Sequence, residues 1–234
     1  RKFNVFPRGF SGGANLAAAD LNGDGIDELI AAQASGTGSF VRVFTSKGRL
    51  LAETSVLGTK FRGGVAVAAG NMSSSGSADI ITAPASNGQP VYAQYRLTNG
   101  KLSLVRRVRL PVTAKTVAAT LAIENLDNWG DAEIVASVSA AKQPTQFFVL
   151  SSAGRRLATI TAPNNQRGAV SLAAGDLRGF DNRAEVVTAN ADAVTTRVNV
   201  FTSPNTSIRV SRQVTTFTPY PSRRWGLNVV VGHL

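Results

Sequence analysis

Asp20-Leu21-Asn22-Gly23-Asp24-Gly25-Ile26-Asp27-Glu28 is an acidic, glycine-bearing turn between two short apolar runs. Ala14 to Ala19 precedes it and Glu28 to Ala32 follows it. Weaker copies of this run–turn–run unit begin at Asn71, Asn125 and Asp176, at intervals of about 50 residues. A fifth copy starts near the end: Gly226 to Leu234 matches Gly13 to Leu21, with His233 in the place of Asp20. Such a period points away from one ordinary globular core and toward an array of small β-sheets.

The first unit shows how each sheet is written. Ala14 to Ala19 reads as a short strand of small residues (A), and Glu28 to Ala32 as an apolar strand (B). Gln33 to Gly38 is a polar loop, and Phe40-Val41-Arg42-Val43-Phe44 alternates as a half-buried strand (C). Ser46-Lys47-Gly48 forms a tight turn into strand D, Leu50 to Leu57. Strand A recurs at Val65 to Ala69, Ala119 to Ile123 and Ala169 to Ala174. Strand B recurs at Asp79 to Thr82, Glu133 to Ala136 and Glu185 to Thr188. Strand C recurs at Val91 to Leu97, Phe147 to Leu150 and Val198 to Phe201. Four antiparallel strands in each repeat give an all-β chain built as a β-propeller of four full blades. Small residues suit strand A because innermost strands converge on the propeller axis.

The repeats run approximately over 9–58, 59–112, 113–163 and 164–221, within a single propeller region spanning 1–234. Arg1 to Phe6 is expected to be an outer strand D, because Phe6 to Gly13 parallels Leu57 to Gly64. Residues 222–234 are expected to begin a further blade, with Leu227 to Val231 as its strand A. Two unpaired strands at the ends imply either further blades of the same chain or completion by neighbouring subunits.

The first loop has the chemistry of a hard-cation site. Asp20, Asn22 and Asp24 alternate, so their side-chain oxygens converge from one side of a tight turn. The Ile26 carbonyl adds an oxygen and Glu28 closes the set, a donor group suited to Ca²⁺. It is not an EF-hand: loop position 12 is Ala31, and no helices flank it. A solvated Asp/Asn/Gly turn without metal is the competing reading. In the third repeat, Asn125, Asp127, Asp131 and Glu133 make a second candidate, with Asp131 compensating for Trp129 at a ligand position. The second loop keeps only Asn71, Ser73, Ser75 and Asp79. In the fourth, Arg178 stands where Asn22 stood, an internal cation beside Asp176, Asp181 and Glu185.

Gly12-Gly13, Ala18 to Gly25, Glu28-Leu29-Ile30 and Val41 to Phe44 together resemble the FG-GAP, VCBS-type or integrin α-like propeller repeats. The resemblance spans the chain at repeat level and is most specific in the first repeat. It implies a propeller with calcium-stabilised loops on one face. It also implies an extracellular or cell-surface setting, in adhesion, ligand binding or surface assemblies.

Composition narrows the function further. The chain of 234 residues carries a formal net charge of +11 and no cysteine. Disulfides, thiolate catalysis and zinc–thiolate sites are therefore excluded. No apolar run approaches the roughly 20 residues of a spanning helix, so direct membrane insertion is not expected. All acids but Glu53 and Asp192 lie in or beside the repeated A–B loops. Cations recur in the D–A connections: Arg8, Lys60 and Arg62, Lys115, Arg167, then Arg223 and Arg224. In a propeller these connections lie on the face opposite the A–B loops, which presents positive charge to an anionic polysaccharide or acidic protein. Solubility, or docking onto other parts of a longer protein, explains the same charge. Arg106, Arg107 and Arg109 read as protection of an outer strand edge. No nucleic-acid-binding motif appears, so nucleic acid is not an expected partner.

Catalytic equipment is sparse. His233 is the only histidine, no phosphate-binding glycine loop is present, and the metal-loop reading absorbs nearly every acid pair. The expectation is a non-enzymatic extracellular binding or adhesion propeller. A structural subunit of a surface layer or filament, and a polysaccharide-binding or polysaccharide-active module, are the alternatives.

Overall fold

The computed structural model describes residues 2–36, 38–73, 76–127, 130–177, 184–191, 197–202, 212–219 and 227–231. Four antiparallel sheets of four strands each account for nearly all the regular structure among them. The first sheet contains β1 (Ala14–Ala19), β2 (Glu28–Gln33), β3 (Phe40–Phe44) and β4 (Leu50–Ser55). The second contains β5 (Val65–Gly70), β6 (Asp79–Pro84), β7 (Val91–Thr98) and β8 (Lys101–Arg109). The third contains β9 (Ala118–Glu124), β10 (Glu133–Ser139), β11 (Gln146–Leu150) and β12 (Arg156–Thr161). The fourth contains β13 (Val170–Gly175), β14 (Glu185–Asn190), β15 (Val198–Thr202) and β16 (Arg212–Phe217). In every sheet the spatial order follows the chain order, the meander of a propeller blade.

The chain divides into two compact units, residues 1–118 and 119–234, each holding two blades. In the first unit the core lies between the facing blades: Val41 and Val43 of β3 pack with Ile80 of β6 and Tyr95 of β7. In the second, Val135 of β10 and Phe147 and Val149 of β11 pack with Val186 of β14 and Phe201 of β15. Each interface takes side chains from one pleat face of each sheet, which the two-residue alternation of a strand supplies.

The B strands run one to three residues past their expected ends, to Gln33, Pro84, Ser139 and Asn190. They are buried on both faces, so their pairing is protected for its full length. The A strands are thinner and more exposed; β1 alternates between exposed and half-buried residues until Ala19.

Glycine pairs fix the entry to the first two A strands. A Cβ on Gly63 would stand 1.9 Å from the Ser86 carbonyl oxygen, and one on Gly12 would stand 2.3 Å from the Ser35 oxygen. Ser86 and Ser35 donate their hydroxyls back to the Gly63 and Gly12 carbonyls, so the B–C loop is drawn against the glycines.

The expected flanking strands are not paired into sheets among the described residues. Residues 2–6 do not form an outer strand: each of the four sheets already has its four strands, and no strand C of a further blade is present among the described residues to pair with the segment. The segment instead crosses the face of the first blade. Phe3 packs on Phe44 with ring centroids 5.4 Å apart, Arg42 donates to the Val5 carbonyl, and its guanidinium lies over the Phe6 ring. Residues 227–231 are extended but unpaired as a strand; Leu227 N–H donates to the Asn190 carbonyl and Val229 N–H to the Ser171 hydroxyl. Leu227, Val229 and Val231 cover Val187, Ala189, Val198 and Val200.

Candidate functional site

The turn between β1 and β2 folds around its own carboxylates. Asp20 Oδ1 accepts from the Gly23 and Asp24 N–H groups, and Oδ2 accepts from Gly25 N–H at 2.8 Å. Gly23 and Gly25 have φ of 79° and 81°, which lets their amides turn inward without a Cβ penalty. Asn22 Oδ1 accepts from Asp24 N–H, and Asp24 Oδ1 accepts from Ile26 N–H. The Gly25 amide, with the other backbone donors, holds the Asp20 carboxyl below its ordinary pKa. The Ile26 side chain points largely into solvent, which leaves its backbone as the part that belongs to the turn.

Glu28 closes the turn from inside. It is 3% exposed, its Oε2 accepts from Leu21 N–H and its Oε1 from the Asn22 amide nitrogen. Burial pushes its pKa up, reinforced by the charges of Asp24 and Asp20. Glu133 accepts from Leu126 N–H and Glu185 from Leu177 N–H in the same way. The first residue of these three B strands is therefore a buried latch that ties down the amide after the A strand. Of the acids in or beside the A–B loops, Glu28, Asp79, Glu133 and Glu185 are buried.

The second blade resolves the same position differently. Asp79 is one methylene shorter than Glu and is fully buried; its carboxylate accepts from Gln94 and from both Nε and Nη2 of Arg96. Gln94 and Arg96 belong to β7. Sequence reasoning missed this internal cation; the signal was an Asp in place of the Glu that starts the other three B strands.

The turn between β9 and β10 is less satisfied. The Asn125 side-chain oxygen is buried and has no hydrogen-bond partner among the described residues. Asp131 accepts from the Ser152 hydroxyl, and Glu133 carries the latch bond to Leu126. Burial pushes the Glu133 carboxyl up to about 7, with the Asp127 and Asp131 charges adding to the rise. Trp129 lies outside the described residues, as do Ser75, Arg178, Asp181 and His233.

Both turns fit a calcium ion in donor chemistry, being rich in oxygen and short of cations. Among the described residues no three acidic or histidine side chains are grouped closely enough to enclose a metal as they stand. An orphaned acceptor and mutually repelling carboxylates are nonetheless what a bound cation would relieve, and the third-blade turn has both. Asp20, Asn22, Asp24, the Ile26 carbonyl and Glu28 would hold it in the first turn, and Asn125, Asp127, Asp131 and Glu133 in the third.

The basic residues of the D–A connections lie at the end of each A strand opposite its A–B turn. Arg8, Lys60, Arg62, Lys115 and Arg167 are all exposed, and none is in an ion pair among the described residues. Arg223 and Arg224 lie outside the described residues. The connection carrying Lys60 and Arg62 is joined to the first B–C loop by Gly38 N–H donating to the Phe61 carbonyl. The one carrying Arg167 is joined to the third B–C loop by Thr145 N–H donating to Gln166. No helix among the described residues is long and apolar enough to cross a membrane.

No family model matches the chain, and no curated protein matches it in sequence. Solved structures do match in fold. The Dos1 propeller superposes with a TM-score of 0.54 at 11% identity, over 88% of this chain and 47% of that one. The Vibrio cholerae biofilm matrix protein Bap1 (TM-score 0.45, 15% identity) matches over 92% of this chain and 40% of its own. The exotype rhamnogalacturonan lyase YesX (TM-score 0.34, 15% identity) matches over 87% and 33%. The chain spans less than half the length of each. Blade topology and the Dos1 superposition together define a β-propeller of four four-stranded blades.

Proposed function

We propose that this chain is a non-enzymatic binding propeller of the FG-GAP/VCBS type, acting outside the cell or at its surface. Its A–B turns take calcium, and its D–A connections receive an anionic partner, an acidic polysaccharide or protein. The observation that carries the reading is the separation of charge. The exposed cations of the D–A connections have no acidic partner among the described residues, whereas the acids gather in the A–B turns or are paired internally. A surface of one sign attracts polyanions and raises their local concentration. Calcium in the turns would lock the ends of the A and B strands without contributing to the opposite face.

Two measurements test the proposal. Asp24→Ala is expected to lower the melting temperature in calcium and to leave it unchanged in chelator. An intact protein whose melting curve ignores chelation has no stabilising calcium site. The charge-neutral variant of Lys60, Arg62 and Lys115 together is expected to lose retention on an acidic polymer, with no product formed by the parent protein. Unaltered retention overturns the binding face, and turnover of the polymer overturns the non-enzymatic assignment.

A further inference from the structure

A groove of about 680 Å³ opens within the first unit, between the end of β4 and the B–C loop of the second blade. Its volume is in the range of small-ligand sites, about 300–1,000 Å³. Phe61, Asn87, Gln89, Arg107 and Thr116 line it. The groove is built, not incidental. Gly88 N–H donates to the Val117 carbonyl and Val117 N–H donates back at 2.8 Å, so both sides of the opening are tied together. The half-buried Phe61 ring is wedged between Gly63 and Gly88, where a Cβ would stand 2.6 Å and 3.2 Å from its tip. Asn87 holds a left-handed backbone with φ of 51°, a conformation Asn tolerates better than most residues.

The lining has one charge and several uncharged hydrogen-bonding groups. Arg107 is exposed and is in no ion pair among the described residues. The side chains of Asn87, Gln89 and Thr116 make no hydrogen bond among the described residues and are exposed. No acid lines the groove. Glu53, the nearest acid along β4, is paired with Arg42. Lys60, Arg62 and Lys115 each adjoin a lining residue in sequence and supply positive charge at the rim.

We propose that this groove binds a uronate-containing oligosaccharide, with one sugar carboxylate on Arg107. The inference rests on the binding-face reading above and narrows its ligand. A guanidinium matches a carboxylate with two parallel hydrogen bonds. The planar amides of Asn87 and Gln89 and the Thr116 hydroxyl offer donors and acceptors to sugar hydroxyls. The Phe61 ring offers an apolar surface to the C–H face of a pyranose. One anion among several hydroxyls and an apolar face is the composition of a uronate unit. An acidic peptide carries repeated carboxylates on flexible stems and would call for several converging cations.

Isothermal titration of the whole chain tests this, using hexamers of galacturonate, mannuronate and a glucuronate-containing polymer, with polyglutamate as the acidic peptide. At least one uronate hexamer is expected to bind. Arg107→Gln and Gln89→Ala, both exposed and checked for native melting, are expected to weaken it about tenfold or more. Lys60→Gln and Arg62→Gln are expected to change it far less. Uronate binding that ignores Arg107→Gln and Gln89→Ala but falls with the rim variants overturns the groove and leaves the basic face standing. Polyglutamate binding without uronate binding overturns the saccharide and also leaves that face standing. If none of the polyanions binds, both readings fall.

Discussion

The β1–β2 turn and the β9–β10 turn carry related oxygen sets and resolve their charge in opposite ways. In the first, Asp20, Asn22 and Asp24 are occupied by backbone amides supplied by the glycine-rich turn itself. In the third blade, the Asn125 oxygen is buried with no donor among the described residues and the Glu133 carboxyl is driven up to about 7. The better sequence motif is thus the more self-sufficient turn, and the eroded one is the more strained electrostatically. Between them stands the second blade, where Arg96 neutralises Asp79 from within. Backbone amides in the first turn and Arg96 in the second blade offset carboxylate charge that the third-blade turn leaves less compensated.

That ordering can be broken by mutation, and the largest expected effect is in the second blade. Arg96→Met leaves the fully buried Asp79 with Gln94 alone, and should cost about 3 kcal/mol or more in urea unfolding. A loss below about 1 kcal/mol would show that the internal cation is not what stabilises this position.

Next comes Glu133→Gln, which keeps an oxygen for Leu126 and removes the charge. The carboxyl titrates near 4.5 when unfolded and near 7 when folded, so the folded state favours the protonated form. The destabilisation is absent below about pH 4.5, grows between the two values and is complete above about pH 7. At about 1.4 kcal/mol per pH unit, the variant should gain up to about 3 kcal/mol at pH 8 in chelator, and nothing at pH 4. Glu28→Gln should act in the same direction with a smaller gain, because Glu28 also accepts from the Asn22 amide, for which Glu133 has no counterpart among the described residues. A larger gain at Glu28 than at Glu133 would invert the comparison.

The smallest effect belongs to Asp20→Asn. The Asp20 carboxyl is held below its ordinary value, so its contribution is present above about pH 4 and disappears as the pH falls through its folded value. The variant should melt slightly below the parent at pH 7, and the gap should close in acid. A gap that persists at pH 2 would mean that shape, not charge, holds the turn.

Much of the architecture was legible in the residues. β1 and β3 fall where alternation and turn chemistry put them, Ala14–Ala19 and Phe40–Phe44, because turns and strand periods are local properties. The ends of the B strands were not legible, because their length depends on burial by neighbouring sheets. The flanking segment read as an outer strand because Phe6 to Gly13 parallels Leu57 to Gly64; with no strand C of a further blade among the described residues to pair with, it packs on the first blade through Phe3 and Phe44. In the candidate sites, spacing alone picked out the A–B turn residues and the D–A cations as candidates. The partners of the buried acids were not: Arg96 lies 17 residues from Asp79, and only strand pairing brings them together.

The sequence by itself determined the repeat, the four blades, and the segregation of acids from bases, since each follows from local pattern and period. Tertiary structure decided which of those acids are charges on a surface and which are latches inside it. It also decided that Phe61, Asn87, Gln89, Arg107 and Thr116 share one groove. The physical reason is the same in both cases. Desolvation and side-chain convergence depend on which distant strands and loops meet, and residue spacing along a chain carries no record of that meeting.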